Sequence, residues 1–560
     1  MPIYEEKNPK WYWAVLFLLP VFLAVYSPFH FGSRELHGSE GIYAAMVMEI
    51  NLLVPLTVAH GELIPSSYPL FPWISSLLHI CGVKMELVLR IVSIVSLAVL
   101  SGIVWQAARK ALNNQAGVVA AAAMFSSIIV IEKTLDGYPD MLAIVLIFTG
   151  WMVWFMYGAS RGNWDKAWIV SAFFCGLAFY TIGWTAVIYF FWPLIFMRRP
   201  LTVWPKLKKR GFAICLFILL AFILFWGIPR WIGGEDIPFR DLKLDKDIFD
   251  GYLLHILSFP FEFALRFMPW TLLAWAPFCV AFHPLDKNPI FSRFLRTIFI
   301  SMFFLFWLAP FADTRELIFL IPPLAVMTGL NYWLLVRRYG MRFHRLLSPI
   351  SFVLVASGGA VLAFYLLPDG WFLELFSMFH DVSFREERRL FVLGLVIGGL
   401  IIAIGLFLIF SAKLIPVWSH ILLICLGFTL FFWALPHSYK AQDRSRRDFG
   451  QAFRDTLKED FKIDKDDDLP DDFILFKEKI NGLYNECFYM ECQVKRIQDY
   501  HDLPEKQENV YLISTDVPIF TEREWNKLAA QQYKKTWIYL WRGSKPRENK
   551  NASKQPATVP

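Results

Sequence analysis

For its first 435 residues the chain runs in long apolar stretches separated by short polar connectors, and then its character changes. Apolar runs able to cross about 30 Å of hydrocarbon fall near residues 11–29, 86–107, 115–133, 141–158, 167–181, 183–197, 211–228, 264–282, 294–310, 315–335, 347–367, 390–411 and 415–435. They predict an α-helical polytopic membrane protein of about 13 transmembrane helices. Tyr68–Gly82 is apolar over only about 15 residues and reads as an interfacial segment. Beyond residue 435 the pattern is that of a small α/β domain. A helical period covers Arg446–Glu459, strand-like runs occupy Phe473–Lys477, Val510–Ser514 and Thr536–Trp541, and a helix is expected at Thr521–Gln531. The expected division is a membrane domain over 1–435, with a first outside loop at about 30–84, and a soluble domain over 436–560 with a frayed end.

Composition supports that division. Of 560 residues, 56% are hydrophobic and only 18% charged, with 54 Phe and 23 Trp. Soluble domains carry about 25% charged residues, so an ordinary soluble enzyme, a disordered chain and a disulfide scaffold are excluded. Of the 55 Lys and Arg and the 48 Asp and Glu, residues 436–560 hold 22 of each. The net +7 therefore belongs to the first 435 residues. No basic stripe or motif points to nucleic acid.

Lys and Arg concentrate in alternate loops, which sets an orientation. With a cytoplasmic N-terminus, the inside loops hold Arg109 and Lys110, Arg161 and Lys166, the stretch Arg198–Arg210, Lys287 with Arg293 and Arg296, and Arg337, Arg338, Arg342 and Arg345. The opposite loops hold Glu35, Glu40, Glu62, Asp136, Asp140 and the acids from Glu235 to Asp250, with Arg385, Arg388 and Arg389 the main exception. An odd number of spans puts residues 436–560 outside, and the protein is expected in the inner (plasma) membrane. Cys487 and Cys492 lie in that outside domain, but five residues apart they need a tight turn to bridge.

A transporter advertises itself by repeats, interrupted helices and mid-membrane charges. The spans here are almost free of charge, and the acids gather just above the outer interface. The first outside loop contains Arg34-Glu35-Leu36-His37-Gly38-Ser39-Glu40-Gly41-Ile42-Tyr43. With Ser39 as helix cap, Glu40 and Tyr43 share one face. In the second, Pro139 disfavours helix at Tyr138, so Asp140 opens the following span. A first-turn acid is also explained by the helix dipole alone, and spacing does not separate that reading from a catalytic one.

The order of these elements resembles the GT-C superfamily of membrane glycosyltransferases, in particular its aminoarabinose-transferase and protein O-mannosyltransferase-like branch. There the first loop opens with an Asp-Glu-x-Arg-Tyr-Ala pattern, to which Ser39-Glu40-Gly41-Ile42-Tyr43-Ala44 is similar. A Gly followed by Lys-Pro-Pro-Leu-x-x-Trp is matched in spacing by Gly61 and Ser67-Tyr68-Pro69-Leu70-Phe71-Pro72-Trp73. The second-loop Asp resembles Asp140, a Pro-Trp span entry resembles Pro269-Trp270, and Glu316–Gly329 resembles a late Tyr-x-x-Pro-x-x-Pro span. Three positions depart: Ser39 stands for the Asp, Ile42 for the Arg and Ser67 for the Lys, while Ser66 replaces an acid associated with a metal.

The resemblance implies transfer of a monosaccharide from a polyprenyl-phosphate carrier to a lipid, glycan or protein acceptor at the outer face, with inversion. Such a step needs a base for the acceptor proton and positive charge for the leaving phosphate. Glu40 is the first candidate base and Asp140 the second. Candidate substrate-binding residues are Tyr43, Tyr68 and the cations Arg34, Lys133, Arg266 and Arg315, although each cation can equally snorkel to lipid headgroups. His255, or His60 with Glu62, are candidate ligands for a divalent metal ion. A lipid-linked-sugar transporter and a non-catalytic GT-C-like scaffold stay open as rival readings, the departures favouring the second.

Overall fold

The computed structural model describes residues 6, 9–26, 34–52, 54–64, 67–232, 252–309, 314–366, 388–411, 414–437, 445–464, 467–470, 472–478, 483–518, 523–533 and 536–545. The acids from Glu235 to Asp250 and Arg385 lie outside them, as do the side chains of Arg388 and Arg389. The chain divides into two compact units. The first comprises Met1–Arg34, Asn51–Leu56 and Pro65–Asp443, and the second Glu35–Ile50, Thr57–Ile64 and Arg444–Pro560.

The first unit is helical. Among the described residues eight helices are long and apolar enough to cross a membrane, or nine when Asn114–Ser126 and Ile128–Thr134, bent by 54°, count as one span. Several of these helices carry apolar residues on every face. The helix Arg210–Ile232 buries Cys215, Leu219 and Trp226 yet exposes Phe217, Leu220 and Phe225, a pattern that lipid tolerates and water does not.

Among the described residues the expected thirteen spans are not all seen as long apolar helices. The run at 11–29 gives the helix Trp11–Val25, with residues 27–29 outside the described ones, and that at 183–197 gives Trp184–Ile195, both shorter than the roughly 20 residues of a full crossing. The run at 264–282 is broken by Pro269 and Pro277 into the four-residue helix Thr271–Ala274 and short 3₁₀ turns. The runs at 315–335 and 347–367 lie in one helix, Ile321–Leu366. Arg337, Arg338, Arg342 and Arg345 between them are good helix formers and do not force a loop. The helix Leu70–Ile80 is too short to span.

The second unit holds a two-stranded hairpin, β1 (Val58–Ala59) with β2 (Glu62–Leu63), and a five-stranded sheet. The sheet is built from β3 (Ile474–Lys477), β4 (Gln493–Arg496), β5 (Asn509–Ser514), β6 (Glu524–Tyr533) and β7 (Thr536–Ser544) in the order β4-β3-β5-β7-β6. β3 runs parallel to β4 and β5, and β7 pairs antiparallel with β5 and β6. Successive strand residues point to opposite faces. Leu475, Tyr511, Ile513 and Leu540 therefore pack with Phe449, Phe453 and Leu457 of the helix Ser445–Phe461, while Phe476, Leu512 and Trp541 form a second cluster.

The helix expected at Thr521–Gln531 is instead strand β6, paired along its length with β7. Glu, Lys, Ala and Gln are good helix formers, but intrinsic propensity is a weak prior, and pairing with the nine-residue β7 overrides it. All seven cysteines are free thiols.

Candidate active site

In the first unit, Pro139 ends the second loop and Asp140 opens the helix Asp140–Phe155. Arg315 donates to Asp140 at 3.5 Å and to Asp136 at 3.2 Å. Its guanidinium lies 3.4 Å over the ring of Tyr138, whose carbonyl accepts from Ser93 Oγ at 3.0 Å. The adjacent Glu316 side chain hydrogen-bonds Tyr189. Three carboxylates thus share this cluster with Arg315. A chain of ion pairs adjoins it: Thr314 contacts Glu262, which pairs with Arg266 at 2.9 Å. Arg266 also takes Glu132 at 2.9 Å, and Glu132 pairs with Lys133 at 3.0 Å. Candidates far apart in sequence, Lys133, Asp140, Arg266 and Arg315, therefore occupy one polar network.

Tyr68 belongs to an aromatic cluster elsewhere in the same unit. It stacks on Trp226 at 5.2 Å and meets Phe179 edge-on. The fully buried Arg230 lies 4.8 Å from the Trp226 ring and donates to the Ser67 carbonyl at 3.0 Å. Arg230 was not among the sequence candidates, because an Arg at the end of an apolar run reads as snorkelling. Arg34 contributes its carbonyl, which accepts from the buried Arg90 at 3.0 Å.

In the second unit, Glu40 opens the helix Glu40–Glu49 as expected, but Ser39 makes no side-chain cap. Glu40 is fully buried, and its Oε2 receives the His37 N–H at 3.0 Å and faces His37 Nδ1 at 2.9 Å. His37 also escaped the sequence reading; a His three residues ahead of a first-turn Glu is the signal that marks it. Tyr43 packs with Ile42, Ile64 and Tyr484 against Ala45 and Met46. Glu49 caps the hairpin turn by accepting the N–H groups of His60 and Gly61 at 2.8 and 2.9 Å.

The residues suggested for a divalent ion each have other partners. His255 Nε2 lies 3.4 Å from the Phe306 carbonyl in the first unit, whereas Glu62 in the second pairs with Arg496 at 2.9 Å and accepts from Gln498. His60 stacks on Tyr484 at 4.8 Å, and burial, with Lys477 and Arg496 nearby, holds its pKa down at about 3. Among the described residues no three His, Cys, Asp or Glu side chains are grouped to hold a metal.

Comparisons with known proteins bear on the whole chain. Residues 65–227 match the family model described as dolichyl-phosphate-mannose-protein mannosyltransferase. Among solved structures the chain is similar to ArnT from Cupriavidus metallidurans bound to undecaprenyl phosphate, with a TM-score of 0.67 and 13% identity over 95% of this chain and 98% of that one. The apo form of that protein gives 0.66 and 14% over 94% and 97%. At such identity the likeness is one of fold. No curated protein sequence matches the chain.

Proposed function

We propose that this chain is a divergent GT-C membrane glycosyltransferase and that it moves a monosaccharide from a polyprenyl-phosphate carrier to a lipid, glycan or protein acceptor, with inversion. The observation that carries this reading is the ArnT-like fold over 95% of the chain, in a relative that binds undecaprenyl phosphate. The family match over 65–227 supports the same carrier class. Glu40 and Asp140 are the acidic positions assigned to the acceptor's proton, and Arg315, Arg266, Lys133 and Arg34 the cations assigned to the phosphate. Tyr43 and Tyr68 are assigned to substrate contact. The reaction is placed at the outer face of the plasma membrane, with the N-terminus cytoplasmic and the sheet domain outside.

The test is incubation of purified protein with polyprenyl-phosphate sugars and membrane extract, comparing wild type with Glu40→Gln and Asp140→Asn. Product from wild type, reduced in both variants, is expected. Equal turnover in all three sinks the residue assignment. The absence of product with every donor favours a scaffold, the reading to which Ser39, Ile42 and Ser67 lend weight, and movement of labelled lipid without product favours a transporter.

A further inference from the structure

Within the first unit, the connector that precedes the helix Pro289–Leu308 leaves a cleft against two other helices. Leu112, just past the helix Met85–Ala111, forms one wall, and Leu330, Trp333 and Leu334 of the helix Ile321–Leu366 form another. Asp286 and Lys287 of the connector close the third side. The cleft is thus mainly apolar on two sides and polar on the third. Leu285 and Ile290, on either side of the connector, are 51% and 44% exposed, an apolar surface that hydrocarbon covers and water does not.

The charges of these segments are one-sided. Residues 105–115, 284–297 and 328–346 hold nine Lys and Arg and a single acid, Asp286. That acid is already engaged: it pairs with Arg296 at 3.3 Å and hydrogen-bonds the Ser292 side chain, while Arg296 also meets His283. Arg293 donates to the Arg199 carbonyl at 3.2 Å. Lys287 differs. Its Nζ lies 5.2 Å from the centre of the Trp333 ring, and no carboxylate or carbonyl among the described residues accepts from it. The cleft therefore offers one exposed ammonium beside an apolar wall, with no carboxylate left over to oppose it.

We propose that this cleft binds an anionic phospholipid, with Lys287 on the headgroup phosphate and acyl chain along Leu330 and Leu334. The proposal does not depend on glycosyl transfer. Basic pockets between transmembrane helices suit anionic headgroups. Asp286 is paired, so nothing in the cleft favours the ammonium of a zwitterionic headgroup, and the leucine walls favour a lipid over free phosphate. Trp333 suits the same depth, because indoles settle where headgroups meet hydrocarbon. One lipid seated there touches three helices distant in sequence and stabilises their packing by binding the folded state alone.

A lysine that merely snorkels needs no particular lipid, and lipid selectivity separates that case from a site. Full-length protein, delipidated in detergent, is unfolded by heat with increasing phosphatidylglycerol, phosphatidylcholine of the same chains, or soluble glycerol phosphate. Wild type is compared with Lys287→Met, Lys287→Gln, Lys287→Arg and Lys166→Met, the last removing an exposed cation that does not line the cleft. The wild-type melting temperature is expected to rise saturably with phosphatidylglycerol, less with phosphatidylcholine and not with glycerol phosphate. Lys287→Met and Lys287→Gln weaken the apparent phosphatidylglycerol affinity by about fivefold. Lys287→Arg and Lys166→Met keep it. Native mass spectrometry of wild type is expected to retain bound phosphatidylglycerol that the two neutral variants lose. An equal response to both lipids, a glycerol phosphate effect matching that of the lipid, or neutral Lys287 variants that bind like wild type overturns the proposal. An equal loss in Lys166→Met also overturns it, by assigning the effect to diffuse surface charge.

Discussion

Arg315 reaches Asp140 across 175 residues of chain, at 3.5 Å, and with its second terminal nitrogen takes Asp136 at 3.2 Å. One planar guanidinium thus sets the spacing of two acids while its face covers Tyr138. Arg315→Gln removes the cation shared by both carboxylates and is expected to lower stability by about 1–3 kcal/mol and transfer by about tenfold or more. Arg315→Lys recovers part of the stability but not the fork geometry. Melting temperature and turnover measured together check this, and a Gln variant matching wild type in both removes any role for the pairing.

Gly183 separates the helices Trp164–Ile182 and Trp184–Ile195 with a φ of 65°, and a Cβ there would stand 1.8 Å from the Tyr68 hydroxyl. Gly183→Ala therefore meets both backbone strain and a collision with a ring stacked on Trp226. A loss of roughly 2–4 kcal/mol is expected from overpacking plus strain. Purification yield and thermal unfolding in detergent report it. Because Tyr68 Cζ stands as close as the hydroxyl, Gly183→Ala is expected to cost less in a Tyr68→Ala background, which removes the whole ring, than in wild type; an equal cost in both puts the whole effect in the backbone.

His60 sits at a φ of 55° in the β1–β2 turn, and its buried Nδ1 has no hydrogen-bond partner among the described residues. Its folded pKa, about 3, lies below the roughly 6.5 of an unfolded imidazole. Between those values the unfolded chain binds a proton that the folded chain does not, so stability falls as pH drops from about 6.5 towards 3. The slope approaches about 1.4 kcal/mol per pH unit. His60→Asn suits a positive φ and does not titrate. Unfolding curves at pH 7 and 4.5 are expected to differ less for the variant, and an unchanged difference assigns the acid sensitivity elsewhere.

Burial pushes the thiols of Cys487 and Cys492 up, to about 11 and about 12. Thiolate is the reactive form, so both are expected to react slowly with maleimide in the folded protein and quickly in denaturant. Mass spectrometry after each treatment counts the labels. A bridged pair, seen as two labels gained only after reduction, contradicts free thiols here.

Period and composition made most of the architecture legible. A residue in hydrocarbon must be apolar whatever its neighbours, so the helices Met85–Ala111, Arg210–Ile232 and Val417–Phe432 follow from local runs. Strands β3, β5 and β7 were likewise visible as short β-branched and aromatic stretches. Pro139 and Asp140 mark a helix start in the sequence alone. Local pattern failed where a distant partner decided the outcome. Glu524–Tyr533 became a strand because β7 pairs with it, and Ile321–Leu366 stayed one helix because its basic middle is mostly good helix formers and accommodates Gly340, as the stretch beyond accommodates Pro349.

The pairing of side chains belongs wholly to the tertiary structure. Nothing in the order of residues states that Arg315 meets Asp136 and Asp140, or that Arg266 links Glu132 to Glu262. Nor does it state that residues 35–50 and 57–64 of the first loop fold into one unit with residues 444–560. Hydrophobic burial is nearly independent of which apolar residue lies opposite, so a chain can announce it one residue at a time. Hydrogen bonds and ion pairs need two groups within about 3 Å and correctly aimed, and only the folded chain supplies the second group.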